Sequence, residues 1–151
     1  VATDFLGTLA SKANLPWLLP DTMTMWEPKA TSLYTVQADN KSPMTGLYDV
    51  SALSGRDKYT YFLGGNHALT TINTGVKNGR TLLLIKDSYA HSFVPFLTAH
   101  YETIWMIDPR YFKEDIFSWI EAHDVQDTLV LYNAATFAED RAPSSVLRPT
   151  I

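Results

Sequence analysis

Hydrophobic positions concentrate in the second half of this chain, and the densest run is Thr81-Leu82-Leu83-Leu84-Ile85-Lys86. A continuous apolar run of that length after a Lys77-Asn78-Gly79 turn reads as a strand buried on both faces. The pattern around it is regular from Gly64 onward. It predicts a strand near Ala68–Asn73, a helix at about Tyr89–Ala99, a strand at Thr103–Ile107, a helix near Phe112–His123 and a strand at Thr128–Tyr132. Along 112–123, Phe112, Ile116, Phe117, Trp119 and Ile120 fall on one face, with Lys113, Glu114, Asp115 and Glu121 outward. Strands alternating with helices predict an α/β fold, a parallel sheet flanked by helices with right-handed crossovers. Residues 1–63 carry a mixed pattern. A helix near residues 4–13, a turn from Pro16 to Pro20, strands at Thr22–Trp26 and Ser32–Gln37 and a helix over Arg56–Leu63 make an irregular α+β flank or lid.

A parallel sheet places its ligand site outside the carboxyl ends of its strands. Three segments stand there: Asp87-Ser88-Tyr89, Asp108-Pro109-Arg110-Tyr111 and Asn133-Ala134-Ala135-Thr136. If their strands are neighbours, Ser88, the Asp108–Arg110 turn and Asn133 meet at one edge. A hydroxyl just past a buried strand, beside helix N–H groups and an amide side chain, suits acyl transfer through a serine with an oxyanion hole. Each residue also has a structural reading. Ser88 and Asp87 can cap the following helix, Asn133 can bond its own turn, and Arg110 can sit in a surface ion pair.

A serine nucleophile needs a base. His91 rides one turn past Ser88 in the same helix, while His100 and His123 end helices on the far side of the crossovers. His67, after the Gly64-Gly65 pair, is the best candidate within the chain.

Composition narrows the partners. The 151 residues fit a single domain with its own core, and twelve basic against sixteen acidic residues form no stripe that could follow phosphates, so nucleic acid is not expected. No apolar stretch is long enough for membrane contact. Without cysteine, thiolate chemistry and disulfides are excluded. The four histidines are scattered with no carboxylate at ligand spacing, so neither a metal nor another cofactor is expected.

Four segments in this order and spacing carry a family signal: Phe62-Leu63-Gly64-Gly65-Asn66-His67, Leu84-Ile85-Lys86-Asp87-Ser88-Tyr89-Ala90, Ile107-Asp108-Pro109-Arg110-Tyr111-Phe112 and Leu131-Tyr132-Asn133. Together they resemble the DHHW protein family of Gram-positive bacteria. That family is similar to the SGNH hydrolases, and to the alginate O-acetylation proteins in particular, whose catalytic blocks run in permuted order. The resemblance implies a flavodoxin-like three-layer fold. It implies a catalytic block of Asp87 and Ser88, with the Ser88 hydroxyl as nucleophile, and oxyanion donors at the Ser88 N–H and Asn133. Tyr89, Arg110, Asn66 and His67 would contact substrate. The family's glycine block has no counterpart, because the turn after the middle strand is Asp108-Pro109-Arg110.

The Asp-His-His-Trp run that would supply carboxylate and base is absent from these residues. The expectation is therefore a carboxyl-terminal piece of a longer extracytoplasmic protein, with 1–63 as flank and 64–151 as core. It would keep nucleophile and oxyanion hole but be weak or inactive by itself. The implied activity is a serine esterase or O-acyltransferase working on an acylated carbohydrate of the cell envelope through an acyl-Ser88 intermediate. The alternative is a non-catalytic carbohydrate-binding or structural surface domain on a degenerate hydrolase fold, with Trp17, Trp26 and Tyr111 stacking on sugar rings.

Overall fold

The computed structural model describes residues 1–7, 10, 13, 17–27, 34–139 and 141. Two strands at the amino-terminal end, β1 (Ala2–Phe5) and β2 (Asp21–Met23), form a small antiparallel ribbon. The main sheet holds β3 (Thr35–Ala38), β4 (Met44–Thr45), β5 (Leu69–Asn73), β6 (Thr81–Lys86), β7 (Thr103–Ile107) and β8 (Asp127–Leu131). Its spatial order is β4-β3-β5-β7-β6-β8. The helices are α1 (Val94–Leu97), α2 (Ile116–Ala122) and α3 (Ala134–Glu139), with 3-10 turns at Val50–Ser54, Lys58–Tyr61 and Ser88–Ser92.

The expected parallel sheet is a mixed one. Among the described strands, β6 alone has parallel neighbours on both sides, β7 on one and β8 on the other. β5 pairs antiparallel with both β7 and β3. The reason is the short link: Thr74–Arg80 is a turn-rich connection that contains no crossover helix, so β5 cannot lie parallel to a neighbour of β6. The strand ranges at 81–86 and 103–107 agree with the hydrophobic pattern, and the last strand begins one residue earlier than expected.

Alternation along β6 splits the core in two. Leu82 and Leu84 face one side with Val36, Leu47, Leu63, Ile72, Ile104, Met106, Ala90 and Val94, whereas Leu83 and Ile85 face the other with Ile107, Phe112, Ile116 and Trp119. One face is thus covered by the 88–97 segment together with residues from 47 to 63, and the other by α2.

Several expected helices are shorter than the pattern implied. The segment at 89–99 is a 3-10 turn followed by the single-turn α1 with Pro95 at its start. The segment at 112–123 is α-helical only from Ile116, where Asp115 accepts from the N–H groups of Phe117 and Ser118. Phe117, assigned by periodicity to the buried face, is exposed at the surface. Residues 2–5 are a strand rather than the start of a helix, with Thr8, Leu9, Ser11 and Lys12 lying outside the described residues. The turn at Trp17 and Leu18 is present, Pro16 lies outside the described residues, and 56–63 contains a 3-10 turn. No helix among the described residues is long and apolar enough to cross a membrane.

Candidate active site

Because β6, β7 and β8 run parallel, their carboxyl ends reach one edge of the sheet together. The antiparallel β5 brings its own beginning to that edge, where Leu69 lies opposite Ile107, and β3 brings its end there, with Ala38 opposite Thr70. A cleft of about 1280 Å³ opens at this edge, and Tyr59, Asn66, Ser88, Tyr89, Arg110 and Asn133 are on its walls. A purely structural domain predicts no such cleft.

Asp87 links the segments that follow β6 and β8. One carboxylate oxygen accepts from the Tyr89 N–H at 2.9 Å and caps the 3-10 turn, while the other accepts from the Asn133 N–H at 3.2 Å. A single buried side chain therefore ties the end of β6 to the end of β8. Ser88 follows at the first position of the turn, and its hydroxyl donates to no acceptor among the described residues. The Asn133 side-chain carbonyl accepts from the N–H groups of Ala135 and Thr136, capping α3. That cap occupies the side-chain oxygen and leaves the NH₂ free to donate. The capping readings of Asp87 and Asn133 are thus real, whereas Ser88 is not itself a cap.

Behind Ser88 lies a charged cluster in which the expected Asp108–Arg110 turn is joined by Lys86 and His91, which the sequence pattern did not mark as part of the site. Lys86 is 1% exposed and Asp108 fully buried. The Lys86 ammonium is 2.9 Å from His91 Nε2 and 3.4 Å from Asp108 Oδ2. Arg110 grips the same carboxylate through Nε at 2.9 Å and Nη2 at 2.7 Å. Burial lowers the Lys86 pKa and Asp108 opposes that shift. Burial tends to raise the Asp108 pKa, but the hydrogen bonds from Arg110 and the charge of Lys86 hold it below the ordinary carboxylate range. The Arg110 hydrogen bond to Asp108 pushes its guanidinium still further from deprotonation. Burial first, then the Lys86 charge, drive His91 down to about 3, so its ring is neutral. With Nε2 accepting from Lys86 the ring proton sits on Nδ1, which has no partner among the described residues.

Tyr59 comes from the irregular first half. Its hydroxyl donates to the Ser88 carbonyl at 3.0 Å and its ring stacks on His91 at 6.2 Å. Nothing local in the sequence marks it. Lys86 did carry a signal, since it shares strand parity with Leu82 and Leu84 and must point into the same buried face.

The expected residues do not all arrive together. Asn66 reaches the cleft through the turn Leu63-Gly64-Gly65, whose φ angles are 60°, 70° and 99°. A Cβ at Gly65 would meet the Thr60 side chain at 3.3 Å. His67 does not line the cleft. It is buried, with Nδ1 3.3 Å from Asp39 Oδ2, because the β5 start carries it behind the cleft wall. His123 stacks on Trp119 at 3.8 Å and bonds its carbonyl. Of the aromatics expected to hold sugar, Tyr111 is on the cleft, whereas Trp17 and Trp26 are exposed elsewhere.

The sequence profile of the family described as DHHW protein matches residues 4–107, more than half of the chain. The chain belongs to the DHHW family. A crystal structure of a DHHW family protein from Eubacterium siraeum is similar at 29% identity, with a TM-score of 0.70, over 82% of this chain and 42% of that one. Bacillus cereus PatB1 with a sulfonyl adduct shares the fold at 19% identity and a TM-score of 0.69, over 95% of this chain and 48% of PatB1. A second PatB1 structure gives 22% identity and a TM-score of 0.61, over 78% and 41%. This DHHW chain therefore spans less than half the length of each of these structures. No curated protein matches it.

Proposed function

We propose that this DHHW chain carries the nucleophile and oxyanion hole of an SGNH-like serine esterase or O-acyltransferase acting on an acylated carbohydrate outside the cytoplasm. The observation that carries the reading is the Asp87 bridge, which sets Ser88 and Asn133 on the same cleft. Ser88 Oγ attacks the acyl carbonyl and passes its proton to a base. The tetrahedral oxyanion is held by the Ser88 N–H and the Asn133 NH₂. Collapse breaks the bond to the leaving alcohol, which takes the proton from the base and leaves acyl-Ser88. Water or a sugar hydroxyl then attacks the acyl carbon, and the proton returns to Ser88.

His67 and His91 are committed to Asp39 and Lys86, and His123 to Trp119. We assign the base to polypeptide beyond these 151 residues, to the Asp-His-His-Trp run that gives the family its name. PatB1 has been captured with a sulfonyl adduct. A sulfonyl group is an electrophile that activated hydroxyl groups attack, in keeping with a nucleophile on this fold. Tyr89 and Tyr111, both about half exposed on the cleft, offer faces for a sugar ring.

The whole protein should release acetate from p-nitrophenyl acetate and take up a sulfonyl group from phenylmethylsulfonyl fluoride, and Ser88→Ala should abolish both. Unchanged labelling and release in that variant would overturn the nucleophile. Sugar binding that persists while wild-type protein releases nothing would favour the non-catalytic carbohydrate-binding alternative.

A further inference from the structure

We propose that Arg110 is the specificity residue of this cleft and binds a carboxylate on the carbohydrate. This rests on the reading of the cleft as a carbohydrate site. Arg110 is partly exposed on the same walls as Ser88, while the groups that position it are buried. Asp108 takes Nε and one proton of Nη2, and the Tyr111 ring lies 5.4 Å from the guanidinium carbon. The fork is thereby fixed, and Nη1 with the second Nη2 proton is left to donate.

Exposure points the same way. Lys86, Asp108 and His91 are buried beside Arg110, the member of the cluster that reaches solvent on the cleft wall. The buried carboxylate of Asp87 also acts on both cations, and Asp57 and Glu139 are exposed on the walls, where water screens them. With Nε and Nη2 held by Asp108, the guanidinium keeps its remaining donors in a fixed plane, and a planar guanidinium is matched to a carboxylate.

The test uses the whole protein with D-glucuronate, its methyl ester and D-glucose as probes, read from the Arg110 Nε–H resonance. Glucuronate should shift that resonance and bind about tenfold or more tighter than either neutral sugar, an advantage that shrinks near 0.5 M salt. Arg110→Gln should remove the advantage. Equal binding of acid and methyl ester overturns the proposal without any variant, as does glucuronate affinity unchanged in a folded Arg110→Gln protein. Ser88→Ala should bind glucuronate like wild type, so loss of acetate release in that variant reports on the nucleophile and the sugar series reports on Arg110.

Discussion

Asp87 is the residue whose chemistry can be separated most cleanly from its bulk. In Asp87→Asn one acceptor becomes an NH₂ facing a backbone N–H, either that of Tyr89 or that of Asn133. Urea unfolding should show a loss of about 1–3 kcal/mol, the cost of an unpaired buried donor. Acetate release by the whole protein should fall about 10²-fold as Ser88 and Asn133 drift apart. Asp108→Asn removes the only carboxylate between Lys86 and Arg110, and about 3–5 kcal/mol should be lost in the same measurement.

Acid should act through the same cluster. His91 falls from an ordinary 6.5 to about 3. Between those values the unfolded chain takes a proton that the native state refuses, so stability present above 6.5 erodes as pH falls. Asp108, lowered from 3.8, adds a loss that begins below that value and deepens through its folded pKa. The urea midpoint should therefore drop already between pH 7 and about 4. His91→Gln should flatten that interval, and an equally steep profile in the variant would exclude His91 as its origin. Ser88, Asn133 and the Asp87 cap were legible from their places after strands. Tyr59 and the His67–Asp39 pair were not, since each depends on partners about thirty residues away.

Elements were legible where a single physical rule decides them. The run at 81–86 has no polar face to offer solvent, so it could only be a doubly buried strand, and its parallel partners followed from the long connections at 87–102 and 108–126. The antiparallel placement of β5 was less visible, because its residues satisfy either direction and only the short link to β6 discriminates. The helix ends were decided by caps. Asp115 fixes the start of α2 four residues inside the apolar pattern, and Asp115→Ala should lower the urea midpoint by removing the cap. Leu84→Ala, in the middle of β6, should cost about 2–5 kcal/mol through the cavity it leaves.

At the scale of the whole molecule, stability should be graded across the sheet. Amide exchange should be slowest in β6 and β7, which have strands on both sides and buried faces, and fastest in α3, which buries none of its residues. Exchange in α3 as slow as in β6 would contradict this order. The gradient would set the firmly held β6 end beside the exposed α3 at the cleft, joined through Asp87 and Asn133.

The cap that Asn133 makes and the oxyanion role proposed for it would set stability and activity against each other at one position. Aspartate there would keep the oxygen that caps α3 and add a negative charge at the helix start, both favourable to folding. It would also delete the NH₂ and confront a forming oxyanion with like charge. Selection for thermal tolerance alone would thus enrich Asn133→Asp while extinguishing turnover, and the helix would be reinforced at the expense of the reaction it borders.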